Sequence, residues 1–236
     1  MKKIELLRKL EKYPVFGMKE VSNAIGKERS YAKLVLYRMK KEGLVFEIER
    51  NKYSLMKEPV VIASRMLWPC YLSCWTALRF HSLTEQLPNA VYAITTRQRR
   101  KKEIAIGETK IIFIVINPKN FFGFQKERYG NYDIFVADRE KALIDSAMLK
   151  KVSFSELAEI FLRSKQEIDA EKMGGYLLRI KNKALIKRFG FLLEKAGIAS
   201  EKLKKAIDSK YVPLDYTIAP KGRRNKEWKV IENVKL

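Results

Sequence analysis

Apolar residues recur through the first 56 positions with spacings that predict three short helices and a hairpin. Over 2–12, Ile4, Leu7 and Leu10 share one face, and Pro14 follows the last turn. Over 18–25 the apolar face is Val21, Ala24 and Ile25, with Gly26 placed to end the helix. Over 29–41, Ala32, Val35, Leu36 and Met39 stand at i, i+3, i+4 and i+7, a single buried stripe, and Gly43 follows. The pattern then switches to alternation: Leu44, Phe46 and Ile48 point one way, Val45, Glu47 and Glu49 the other. Arg50-Asn51-Lys52 makes the turn, with Asn51 suited to positive φ, and Tyr53 and Leu55 resume the strand.

After Lys57-Glu58-Pro59 the character changes, which places a domain boundary between 1–57 and 58–236. A helix is predicted over 59–67, and a second that begins at Pro69 and continues through 80. Strands are predicted over 90–95, near 104, over 110–117 and over 131–137. From Asp138 onward the pattern is helical, over 138–149, 154–162, 169–180, 185–196 and 201–207, with an extended tail over 211–234. Strands clustered between helices without a repeating βαβ unit argue for an α+β fold: a small helical head with a hairpin, then a larger mixed domain whose C-terminal half is helical.

Composition narrows the partner. The 236 residues carry 49 Lys and Arg against 27 Asp and Glu, a formal net charge of +22, while 47% are hydrophobic. That apolar content excludes a disordered basic tail. Such an excess repels itself, and a polyanionic partner is its simplest justification. A membrane fits less well, because no apolar run approaches the ~20 residues a span requires. The N-terminal stretch lacks the uninterrupted apolar core of a signal peptide, which predicts a cytoplasmic protein. The excess is +7 over 1–56, +5 over 57–149 and +10 over 150–236, so the chain is not a basic head on a neutral body.

The third helix turns Lys33, Tyr37 and Lys40 away from its stripe, with Arg29 and Ser30 at its N-terminal end. A helix presenting basic and hydroxyl groups away from its core suits a DNA major groove, its first residues meeting base edges. The bland alternative is a solvated face. The hairpin directly after it tips the balance, since two short helices, a basic third helix and a hairpin make a winged helix-turn-helix. Arg50 and Lys52 at the tip suit phosphate or minor-groove contact. Arg97, Arg99, Arg100, Lys101 and Lys102 form a second basic run on a loop between strands, expected to be an exposed hairpin, which either extends that footprint or is a solvated turn. A third run over 221–226 has Trp228 beside it, and the indole is expected to anchor the tail. Phe121, Phe122 and Phe124 read as core and not as a stacking platform.

Recognisable catalytic motifs are missing: the chain has no Gly-rich phosphate loop, no GxSxG and no HExxH, and no catalytic residue or cofactor is predicted. Asp138, Glu140 and Asp145 form a carboxylate cluster with Lys141 beside it. Asp138 reads as the N-cap of the run that follows, the alternative being a metal-dependent nuclease. Cys70, Cys74 and His81 are spaced four and seven apart, on one face of the predicted helix. They offer three ligands where a structural zinc wants four, so they are expected to be packing groups and a polar helix end. A Cys70–Cys74 disulfide is expected only if the source is a hyperthermophile, which the Lys-, Glu- and Ile-rich composition with four Gln allows.

Four stretches taken in order carry a family resemblance: KKEGLVFEIERNKYSL, PCYLSCWTALRFHSLTEQLPNAVYAITT, NFFGFQKERYGNYDIFVADREKALIDSAML and KRFGFLLEKAG. With them the chain resembles the AbiEi-type antitoxins, transcriptional regulators of type IV, abortive-infection toxin–antitoxin systems. It departs from them at the hairpin turn, where Arg50-Asn51-Lys52 stands in place of the usual Gly, and at Ser82, where Gly is common. Asn tolerates the same backbone. The resemblance implies a winged-helix head that represses its own operon by binding inverted repeats in double-stranded promoter DNA, with room for an oligomer on the operator. It also implies a C-terminal antitoxin domain that counters a co-encoded nucleotidyltransferase toxin without a tight, stable complex, in antiviral defence. A non-specific chromatin protein is the remaining alternative, and it predicts no preference between promoter and bulk DNA.

Overall fold

The computed structural model describes residues 3–236 and is a mixed α+β protein. Its first elements are α1 (Lys3–Leu10), α2 (Met18–Ile25), α3 (Arg29–Lys41), β1 (Phe46–Glu49), β2 (Lys52–Ser54) and α4 (Pro59–Met66). Then come β3 (Cys70–Leu72), α5 (Trp75–Phe80), β4 (Ala90–Thr95), β5 (Glu103–Ile106), β6 (Thr109–Val115), β7 (Phe124–Tyr129) and β8 (Tyr132–Ala137). The chain ends with α6 (Arg139–Met148), α7 (Phe154–Arg163), α8 (Ala170–Ile180), α9 (Lys183–Lys195), α10 (Glu201–Lys204), β9 (Val212–Pro213), β10 (Arg223–Asn225) and β11 (Val230–Glu232). No helix among the described residues is long and apolar enough to cross a membrane.

The chain divides into two compact units that do not follow the change of character at 57/58. One holds everything up to Cys70 together with 89–115 and 128–134; the other holds 71–88, 116–127 and 135–236. In the first unit α4 packs against β4 and β6, which draws residues beyond 57 into the same body as the helical head.

Within that unit α1, α2 and α3 close over Leu6, Leu10, Phe16, Val21, Ala32, Leu36, Met39 and Val45. The predicted start of the first helix at Lys2 lies outside the described residues. Its buried face also differs from expectation: Leu6 and Leu10 are buried, Leu7 packs at the edge, and Ile4 is 66% exposed. Gly17 caps α2, its N–H donating to the Glu20 carboxylate at 2.8 Å. Gly26 ends it at φ +69°, a left-handed backbone that favours glycine. In α3, Ala32, Leu36 and Met39 are buried as expected, and Val35 is half-buried.

β1 and β2 pair antiparallel, and Asn51 takes the turn at φ +62°. Phe16, between α1 and α2, exchanges both backbone hydrogen bonds with Tyr53, at 2.9 and 2.8 Å. The expected alternation fails at one point. The register slips between Glu47 and Glu49, so Val45 and Ile48, one odd and one even position, are both buried. One extra residue in a strand reverses the face of everything on one side of it.

The strand predictions for 90–95, 104 and 110–117 correspond to β4, β5 and β6, but β4 and β5 do not form a hairpin. β6 pairs parallel with β4 and antiparallel with β5, so the intervening basic loop spans two strands that flank a third.

The continuous helix expected from Pro69 to 80 is absent. Cys70–Leu72 is a strand pairing parallel with β8 through Leu72 and Val136, and α5 starts only at Trp75, after Cys74 at φ +53°. A three-residue apolar run buried on both faces carries no periodicity to separate strand from helix. The helices from α6 on lie close to their expected spans; α10 is shorter, ending at Lys204. The tail is extended as expected and forms a three-stranded sheet, β11 between antiparallel β10 and parallel β9. Trp228 anchors it: the ring is fully buried against Gly190, where a Cβ would lie 2.0 Å from it, and the indole N–H donates to Glu194 at 2.8 Å.

Candidate nucleic-acid interface

α3 is thirteen residues long and contains Arg29, Lys33, Arg38, Lys40 and Lys41 but no carboxylate. With one face committed to the core, Arg29, Ser30, Lys33, Tyr37 and Lys40 are all exposed. Lys40 is the least available of them: it is paired with Glu47 at 2.6 Å, and that hydrogen bond holds its ammonium above the ordinary lysine range. The hairpin that follows puts Arg50 in solvent at its tip.

Lys52 and Arg99 are drawn inward. Lys52 donates to the Met66 carbonyl at 3.0 Å and lies 3.4 Å from Glu49. Arg99 donates to the other oxygen of Glu49 at 2.8 Å, donates to the Lys101 carbonyl, and sits over Phe113 with its guanidinium carbon 4.3 Å from the ring centre. Its side chain is 7% exposed, so it is a staple between hairpin and loop and not a phosphate ligand. The consequence is spatial. Glu49 sits one residue from Arg50, and Arg99 sits between Arg97 and Arg100, so the ion pair brings the basic loop beside the hairpin tip. Arg97, Arg100, Lys101 and Lys102 are exposed there. The structure thus brings together nine of the eleven residues expected to contact DNA, and gives Lys52 and Arg99 the work of holding them.

Two residues escaped the sequence reading. Tyr31 and Leu34 are 48% and 42% exposed on α3, beside Tyr37 at 65%. Leu34 could have been found, since it lies on the turn of the helix shared by Ser30 and Tyr37, opposite the stripe.

In the second unit the three carboxylates separate. Asp138 caps α6, accepting from the Lys141 N–H at 2.8 Å, and takes the Tyr176 hydroxyl at 2.7 Å. Glu140 accepts from the Asp169 N–H at 2.9 Å. Lys172 bridges both, 3.1 Å from Asp138 and 3.0 Å from Glu140; burial works against its charge, but these hydrogen bonds outweigh it and hold the ammonium well above its ordinary range. Asp145 is fully buried, bonded to Lys141, to the Tyr71 hydroxyl at 2.9 Å and to Ser73 at 2.9 Å. Burial pushes its carboxyl up against the pull of Lys141. Phe122 is buried, and Phe124 stacks on Tyr71 with centroids 4.6 Å apart.

Cys70, Cys74 and His81 do not share a helix face, because a strand, a bend and a short helix separate them. Both thiols are free and buried; burial pushes Cys70 up to about 12 and Cys74 higher still, so neither is a thiolate at neutral pH. The His81 ring is spoken for by the Ala137 carbonyl at 2.7 Å. Among the described residues no group of three or more His, Cys, Asp or Glu is placed to hold a metal ion. No protein-family model matches the chain, and no curated protein matches it.

Proposed function

We propose that residues 1–57 are a winged helix-turn-helix and that the chain is a sequence-specific, double-stranded-DNA-binding repressor of its own operon. The observation that carries this reading is the carboxylate-free α3, exposed beside a hairpin that Arg99 ties to a second cluster of cations. The Phe16–Tyr53 bridge supports the winged topology, since it joins the α1–α2 connection to the hairpin as a third short strand. In this reading α3 enters the major groove with Arg29, Ser30, Lys33 and Tyr37 nearest the bases. Arg50, Arg97, Arg100 and Lys101 hold phosphates.

The antitoxin role rests on the resemblance of the sequence to the AbiEi-type family. The second unit would counter a co-encoded nucleotidyltransferase toxin in the cytoplasm, acting as a regulator and not as an enzyme. The sealed state of Asp145 supports the non-enzymatic reading, because no solvent reaches it.

The test measures anisotropy of labelled DNA from upstream of the gene against random duplex of equal length. The upstream fragment is expected to bind at least tenfold more tightly, and a Lys33→Ala, Tyr37→Ala variant to lose most of that ratio. Equal losses on both duplexes would remove α3 from the recognition role. Co-expression with a nucleotidyltransferase gene from the same locus is expected to restore growth, and continued arrest refutes the antitoxin role.

A further inference from the structure

At 100° per residue, the side of α3 opposite Ala32, Leu36 and Met39 is occupied by Ser30, Leu34, Tyr37 and Lys41. Two of these four carry large apolar surface into solvent, Leu34 at 42% and Tyr37 at 65% exposure. Their surroundings select the occupant. Five cations and no carboxylate stand along the same helix. A second copy of the chain would bring an identical positive face against this one, and the like charges would oppose the contact. A polyanion is attracted by the same field.

In duplex DNA the apolar group within reach of a helix in the major groove is the C5-methyl of thymine. We infer that Leu34, with Tyr37 beside it, reads thymine methyls, so that the site recognised by α3 carries T at the base pairs facing these two residues. The inference rests on the DNA-binding reading and adds which bases are sought. Leu34 and Tyr37 are separated by about 4.5 Å along the helix axis. That is little more than the ~3.4 Å between successive bases of one strand, so the two side chains suit neighbouring steps. Lys33 and Arg29, on the flank, are left for guanine edges and phosphates.

The experiment selects the tightest binders of the full chain from a pool of random 30-bp duplexes. The winning sequence is then remade with deoxyuridine, which lacks only the methyl, at one thymine position at a time. One or two positions are expected to weaken binding about fourfold each, the effect of exposing one methyl-sized apolar group. Leu34→Ala removes an exposed side chain and is expected to bind the thymine and uracil duplexes alike at the position facing it. If uracil costs the wild type nothing, or Leu34→Ala keeps the full penalty, the inference fails while DNA binding stands. If no duplex in the pool is bound, the DNA-binding reading itself fails. A Leu34→Ala change that converts a dimer to a monomer by sedimentation, with the uracil penalty intact, would instead assign this face to a second copy of the chain.

Discussion

Lys187 on α9 is 1% exposed, and its ammonium is held by Asp208 and by the Lys210 carbonyl. A buried amine left without such partners carries the full cost of its lost solvation. The Lys187 hydrogen bond in turn holds the Asp208 carboxyl down to about 2. A carboxyl depressed in the folded state binds its proton less tightly there than in the unfolded chain. It therefore contributes stability above the unfolded value of ~3.9 and loses it as pH falls through about 2. Asp208→Asn is expected to lower the melting temperature at pH 7, with the gap to wild type closing between pH 4 and pH 2. A gap of constant width across that interval would show that the pair does not set the acid limb. Neither partner was legible as special in the sequence. Lys187 falls on an apolar-periodic run and Asp208 past its end, and only the return of the chain around 208–210 brings them together.

At the scale of elements, helices with a long apolar stripe and a cap were readable, because both signals are local: Asp138 before α6 and Gly26 after α2 stand where the sequence put them. What depends on pairing was not. The slip in β1 reverses its inward face at Ile48; β3 is three apolar residues; and β7, with Gln125, Lys126 and Glu127 in its middle, lacks the composition of a strand. The candidate site divides the same way. Its cations were legible on α3 and the two loops, whereas the role of Arg99 required seeing Glu49 and Phe113 beside it. That role predicts a difference between neighbours in sequence. Arg99→Ala removes the staple and is expected to loosen the hairpin by roughly 1–2 kcal/mol, read as about tenfold faster hydrogen exchange at the Phe16 and Tyr53 amides, which bond each other's carbonyls. Arg100→Ala, exposed, should leave those amides unchanged. Matching exchange in the two variants would return Arg99 to the status of a solvated cation.

For the whole molecule, the charge of +22 overstates the positive surface. Lys141, Lys187 and Arg188 are buried, Arg99 is stacked, Lys172 is neutralised by two carboxylates, and Lys204 is shared among Glu194, Glu201 and Glu227. Exposed cations of the first unit include those of α3, Arg50 and, on the loop, Arg97, Arg100, Lys101 and Lys102. Binding of duplex DNA releases condensed counterions, so the slope of log K against log salt counts phosphates engaged, about 0.9 per contact. Changing Arg97, Arg100, Lys101 and Lys102 to Gln together is expected to flatten that slope by about 2 to 4, depending on how many of the four reach the backbone, and to weaken promoter and random duplex alike. Arg99 is left in place, so the hairpin keeps its anchor and a change in slope reports lost contacts and not a displaced hairpin. An unchanged slope would exclude the loop from the footprint, and the loop would then serve only to present Arg99 to Glu49.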